Sequence, residues 1–76
     1  MNAKRRAALQ KIIAELEAIK AQIEEAASEE RETFDNMPEN LQQAERGQAM
    51  EAAADKLDEA VNSFDEIISA IEEAQE

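Results

Sequence analysis

The chain has 76 residues, with 8 basic and 19 acidic side chains and a formal net charge of −11. It holds no Cys and no His, which excludes disulfides, thiolate chemistry and the usual zinc ligands. So short a chain without disulfides fits a reducing interior, and a cytoplasmic location is expected. Its acidity repels nucleic acid and anionic lipid, and no apolar run approaches the ~18 residues of a membrane span, so neither nucleic acid nor membrane is expected as a partner.

The start, MNAKRRAALQKIIAELEAI, sets basic residues before an apolar patch, as a secretion signal does. Glu15 and Glu17 interrupt that patch and its spacing is amphipathic, so it reads as mature helix. Leu9, Ile12, Leu16, Ile19, Ile23 and Ala26 follow steps of three and four, with Ile13 and Ala27 on the flanking position. Strong helix formers fill the gaps, and neither Gly nor Pro occurs before Pro38. Helix one is expected over about residues 3–33.

A bend is expected over about residues 34–41. The stretch TFDNMPENLQQAERGQAM collects the only Pro and the only Gly of the chain. Pro38 keeps Met37 out of helical geometry and so ends helix one. Asn36 followed by Glu39, or Asn40 followed by Gln43, has capping-box spacing for the next helix. Phe34, Met37 and Leu41 are expected to fold over the open end of the core. Gly47 costs about 1 kcal/mol against Ala inside a helix. Either a kink or the close approach of another backbone should compensate.

Helix two is expected over about residues 42–75. ADKLDEA, VNSFDEI and ISAIEEA are successive heptads, and GQAMEAA before them keeps the register. Ala54, Val61 and Ile68 alternate with Leu57, Phe64 and Ile71 along one stripe, and Ala60, Ile67 and Ala74 line the next position round. Asp58, Glu59, Asp65, Glu66, Glu72 and Glu73 form acidic rows beside it. A seven-residue period denotes a coiled-coil seam rather than a repeat array.

The stretch DNMPENLQQAERGQAMEAA resembles the central motif of short acidic helical proteins from bacterial and bacteriophage genomes, a D-N-x-P-E-x-L-Q core followed by E-R-G-x-x-M-E. The resemblance covers the bend and the start of helix two. It implies a phage or prophage setting and brings no catalytic residues.

Little of the equipment of an enzyme is present. Ser28, Thr33, Ser63 and Ser69 have no His to activate them, and a di-metal carboxylate bundle would want Glu-x-x-His pairs. Calcium-loop and phosphate-loop motifs are missing as well. The expectation is a protein without catalytic residues, cofactor or metal. Glu30, on the apolar stripe of helix one, is expected to reach solvent, Arg31 or Arg46.

The expected architecture is all-α: one domain over residues 1–76, an antiparallel helical hairpin that dimerises into a four-helix bundle. Each apolar stripe is about three positions in seven wide, too broad for a lone pair of helices. The expected core and dimer positions are Leu9, Ile12, Leu16, Ile19, Ile23, Leu57, Val61, Phe64, Ile68 and Ile71. Folding near residue 38 pairs Ile23 with Leu57, Leu16 with Phe64 and Leu9 with Ile71. It also sets Lys4, Arg5 and Arg6 beside Glu72, Glu73 and Glu76, where two groups that each oppose a helix dipole would neutralise one another.

These features suggest a non-enzymatic acidic homodimer that binds a protein partner, with a basic surface suiting its charge. The contact surface is expected either at the hairpin tip (Phe34, Asn36, Glu39, Arg46, Gly47) or on the acidic rows. A nucleic-acid mimic is the alternative: acidic rows recurring every ~10.5 Å along a helix would occupy the groove of a nuclease or a DNA- or RNA-binding protein. Direct nucleic-acid binding through Lys4, Arg5 and Arg6 is weaker, since three bases lack stacking aromatics.

Overall fold

The computed structural model describes all 76 residues and is 88% helical without strands. Helix α1 runs Ala3–Asp35, a single turn α2 covers Glu39–Gln42, and α3 runs Glu45–Ala74. The long helices pack against each other as a hairpin 58 × 15 × 12 Å in extent, and α2 packs on α3. Helix one extends two residues beyond its expected end. The bend holds a turn of helix rather than only loop.

Local chemistry explains the boundaries. The Asn2 side chain accepts a hydrogen bond from the Arg5 amide at 2.8 Å and so caps α1. Neither expected capping box forms: Asn36 closes the carboxyl end of α1, while Pro38 and Ala44 precede α2 and α3 without side-chain caps. Glutamines act at the opposite helix ends instead. Gln42 Nε2 donates to the Phe34 carbonyl at 2.9 Å, and Gln48 Nε2 donates to the Gln42 carbonyl at 3.1 Å. The Phe34 carbonyl also accepts the Met37 amide at 3.0 Å, whereas Gln48 supplies a partner at the carboxyl end of α2. Phe34 and Met37 are half-buried at the tip, but Leu41, expected to join them, is 45% exposed.

On α3 the seam follows the expected heptads through Met50, Ala54, Leu57, Val61, Phe64, Ile68 and Ile71. On α1 it is rotated by one position. Leu9, Leu16 and Ile23 lie in the seam as expected, but they alternate with Ile13, Lys20 and Ala27. Ile12 and Ile19, expected at core or dimer positions, lie outside the seam of the single hairpin and are 42% and 46% exposed. The rotation brings Lys20 and Arg31 up to the acidic row of α3 and carries both isoleucines to the opposite flank.

The register also differs. Gln10 donates to Gln75 at 2.7 Å and Lys20 meets Asp65 at 2.6 Å. These pairs set Leu16 level with Ile68 and Ile23 level with Val61, more than one helical turn from the expected Phe64 and Leu57. The cause is α2, which occupies the space past the end of α1, so that the first turn of α3 packs on α2. At the other end, α1 overhangs α3, and Lys4, Arg5 and Arg6 form none of the ion pairs expected with Glu72, Glu73 and Glu76.

Gly47 makes this arrangement possible. It is buried within α3 at an ordinary negative φ. A β-carbon there would stand against the Leu41 carbonyl oxygen, 2.5 Å from the Gln42 oxygen and 2.7 Å from the Gln42 Cα. The close approach of a second backbone, rather than a kink, is thus what requires glycine.

Gly47→Ala sets two effects against each other. Alanine favours the helix by about 1 kcal/mol, whereas overpacking against an unyielding backbone costs about 1–3 kcal/mol. The expected outcome is a net loss of up to about 2 kcal/mol, read as a fall of up to roughly 15 °C in the circular-dichroism melting temperature. An unchanged or raised melting temperature would show that α2 yields freely.

Candidate functional site

Polar contacts between the long helices all lie on one flank. Arg31 extends from α1 between two carboxylates of α3, 3.0 Å from Asp55 and in contact with Asp58. Lys20 reaches from its seam position to Asp65, its aliphatic stem lying along the apolar seam. Two open hollows on this flank share Arg31 in their lining, one beside Ala27 and Val61 and the other beside Phe34 and Ala54. Neither is an enclosed pocket of the kind that buries most of a small ligand.

Both bases are held more firmly protonated than usual. The Arg31 pKa is raised by hydrogen bonds to Asp58 and then Asp55, against a smaller opposing effect of desolvation. The Lys20 pKa is raised above 10.5 chiefly by its hydrogen bond to Asp65, with desolvation opposing and the charges of Asp65, Glu24 and Glu17 adding to the rise.

This geometry divides the acidic rows. Asp58 and Asp65 are tied to α1, and Glu59 pairs with Lys56 at 3.1 Å along α3. Glu66, Glu72 and Glu73 are exposed and make no ion pair. The row that sequence periodicity marked as a surface is therefore partly a set of interhelical ties. Sequence reasoning missed Lys20 and Arg31 as their partners: Arg31 was readable as a base beside the stripe, whereas Lys20 occupies a seam position that periodicity assigned to Ile19.

At the tip, Asn36, Glu39 and Arg46 are exposed and Phe34 is half-buried. Gly47 lies beneath α2, so it contributes to the tip's shape and presents no surface of its own. Glu30 is half-buried and pairs with neither Arg31 nor Arg46, because Arg31 is turned toward α3. No group of three or more acidic side chains is placed to hold a metal ion, and no helix is long and apolar enough to cross a membrane.

The molecule is an all-α helical hairpin with a charged flank and a structured tip. No family model matches the chain, and no match is found among curated proteins or solved structures.

The Lys20–Asp65 pair carries a pH signature. Because folding raises the Lys20 pKa, the stabilisation is complete below 10.5 and disappears as pH climbs through the higher folded value. The parent should melt above Lys20→Gln by a constant margin from neutral pH up to 10.5, and the margin should close above it. A margin independent of pH would mean that the pair contributes nothing and only packing differs.

Proposed function

We propose that the chain is a non-enzymatic interaction protein: a cytoplasmic homodimer, two hairpins forming a four-helix bundle, that binds a protein partner in a phage or prophage setting. The observation that carries this reading is the shortage of interior. Only 5 of 76 residues are buried, and the core comprises Ile13, Ala27, Ala54 and Ile68. The accessible surface is 5539 Å², against about 4,700 Å² for a compact monomer of this mass. The radius of gyration is 17.3 Å, against about 11 Å for a compact chain of this length. A hairpin this thin gains a core by association.

Of the two candidate surfaces, the tip is favoured. Asn36, Glu39 and Arg46 stand free there, on a turn held by Gln42 and Gln48. Asp58 and Asp65 of the acidic rows, by contrast, serve the hairpin itself. The mimic reading retains Glu66, Glu72 and Glu73, whose freedom from ion pairs supports it. A basic partner surface suits either reading.

Sedimentation at micromolar concentration should give about twice the chain mass of 8.5 kDa. A partner captured by the parent protein should be lost with Glu39→Lys and Arg46→Glu, and retained with Glu66→Gln, Glu72→Gln and Glu73→Gln together. The reverse result, with capture that weakens steeply in salt, would install the mimic reading instead.

A further inference from the structure

The flank opposite the ion pairs is apolar. Of the large hydrophobic residues left exposed, Ile12, Ile19 and Ile67 all fall there, at 42%, 46% and 48%. In the register set by Lys20–Asp65 and Gln10–Gln75, Ile19 is level with Ile67, Ile12 with Ala74, and Ala26 with Ala60. Three layers result, seven residues apart on each helix, and no member of them is charged.

We infer that a second copy of this chain covers this flank in antiparallel orientation, with the two-fold axis at the Ile19/Ile67 layer. The inference rests on the dimeric reading above and adds the face and the direction. Area is the first argument. The surface exceeds that of a compact monomer by roughly 850 Å², close to the ~800 Å² per partner that a stable interface buries. Shape is the second. Rotation about that axis lays α1 on the α1 of the second copy, so Ile12 meets Ala26, Ile19 meets its own equivalent, and each large side chain outside the axis faces a small one. On α3 the same rotation sets Ala60 against Ala74 and Ile67 against Ile67.

Charge fixes the direction. The overhanging start of α1 carries Lys4, Arg5 and Arg6 and forms no ion pair within its own chain. The antiparallel arrangement carries this basic end to the level of Glu32 on the second copy, within a turn of Glu29, acids that also lack an ion pair. A parallel arrangement, with α1 over the α3 of the second copy, would gather both basic starts at the same end of the bundle and leave those acids unmatched. With −11 on each copy, an orientation that offsets repulsion at both ends is strongly preferred.

The test uses the absence of native cysteine, which gives each single-cysteine variant one thiol. Under mild oxidation Ile19→Cys should crosslink to itself. Ile12→Cys mixed with Ala26→Cys should give a mixed disulfide dimer that neither forms alone. Ile19→Asp should weaken the dimer about a hundredfold or more, because one central contact is lost on each copy; at micromolar concentration it should sediment near the chain mass. A disulfide between Ile19→Cys and Ile67→Cys chains, without self-crosslinking of either, would overturn the orientation in favour of the parallel arrangement. A dimeric parent that forms none of these disulfides and tolerates Ile19→Asp would overturn the assigned face while leaving dimerisation intact. A monomeric parent would overturn both.

Discussion

The contact of Gly47 with the backbone of α2 governs the rest of the molecule. Because no side chain intervenes, the carbonyls of Leu41 and Gln42 lie directly on α3, and α2 can fill the space past the end of α1. That placement shifts the register between the long helices by more than one turn from the one a simple bend would give. The shift puts Lys20 opposite Asp65 and Arg31 opposite Asp55 and Asp58, and it leaves the basic start of α1 without a neighbour. Charged contacts and overhang both follow from a missing methyl group.

Much of this fold is legible in the sequence, and the parts that are not fail for identifiable reasons. Helix α3 could be read residue by residue, since its heptads offer one apolar stripe with acids directly beside it. Helix α1 is ambiguous because Ile12 and Ile13, and Ala26 and Ala27, are adjacent equivalents. The tie is broken at Ile19 and Lys20, where periodicity favours the isoleucine and the fold places the lysine in the seam. Hydropathy has no means of anticipating that a long stem packs while its ammonium reaches a carboxylate. Turn α2 was hidden because four residues carry no periodicity, and capping-box spacing drew attention to Asn36 and Asn40 rather than to Gln42 and Gln48. At Gly47 the sequence stated the requirement, a kink or a close approach, without choosing.

Division of the hairpin into a charged and an apolar flank changes what its acidity means. Regular spacing of carboxylates suggested a continuous anionic surface, but Asp58 and Asp65 are interhelical partners and Glu59 is held by Lys56. The residues that remain free, Glu66, Glu72 and Glu73, are concentrated toward the end of α3. Exposed pairs of this kind contribute modestly to stability. They are compatible only with the rotation of α1 that holds Ile12 and Ile19 away from the seam.

The tip also imposes an order on folding. Its bonds join residues near in sequence: Gln42 reaches back eight positions to Phe34, and Gln48 reaches six to Gln42. The opposite end is closed by Gln10 and Gln75, 65 positions apart. Closing a short loop costs less chain entropy than closing a long one, so the hairpin zips from the tip toward its ends and opens in the reverse direction. Amide protons should accordingly exchange slowest beside α2 and progressively faster toward Ala3 and Ala74, a gradient of local stability along two otherwise uninterrupted helices.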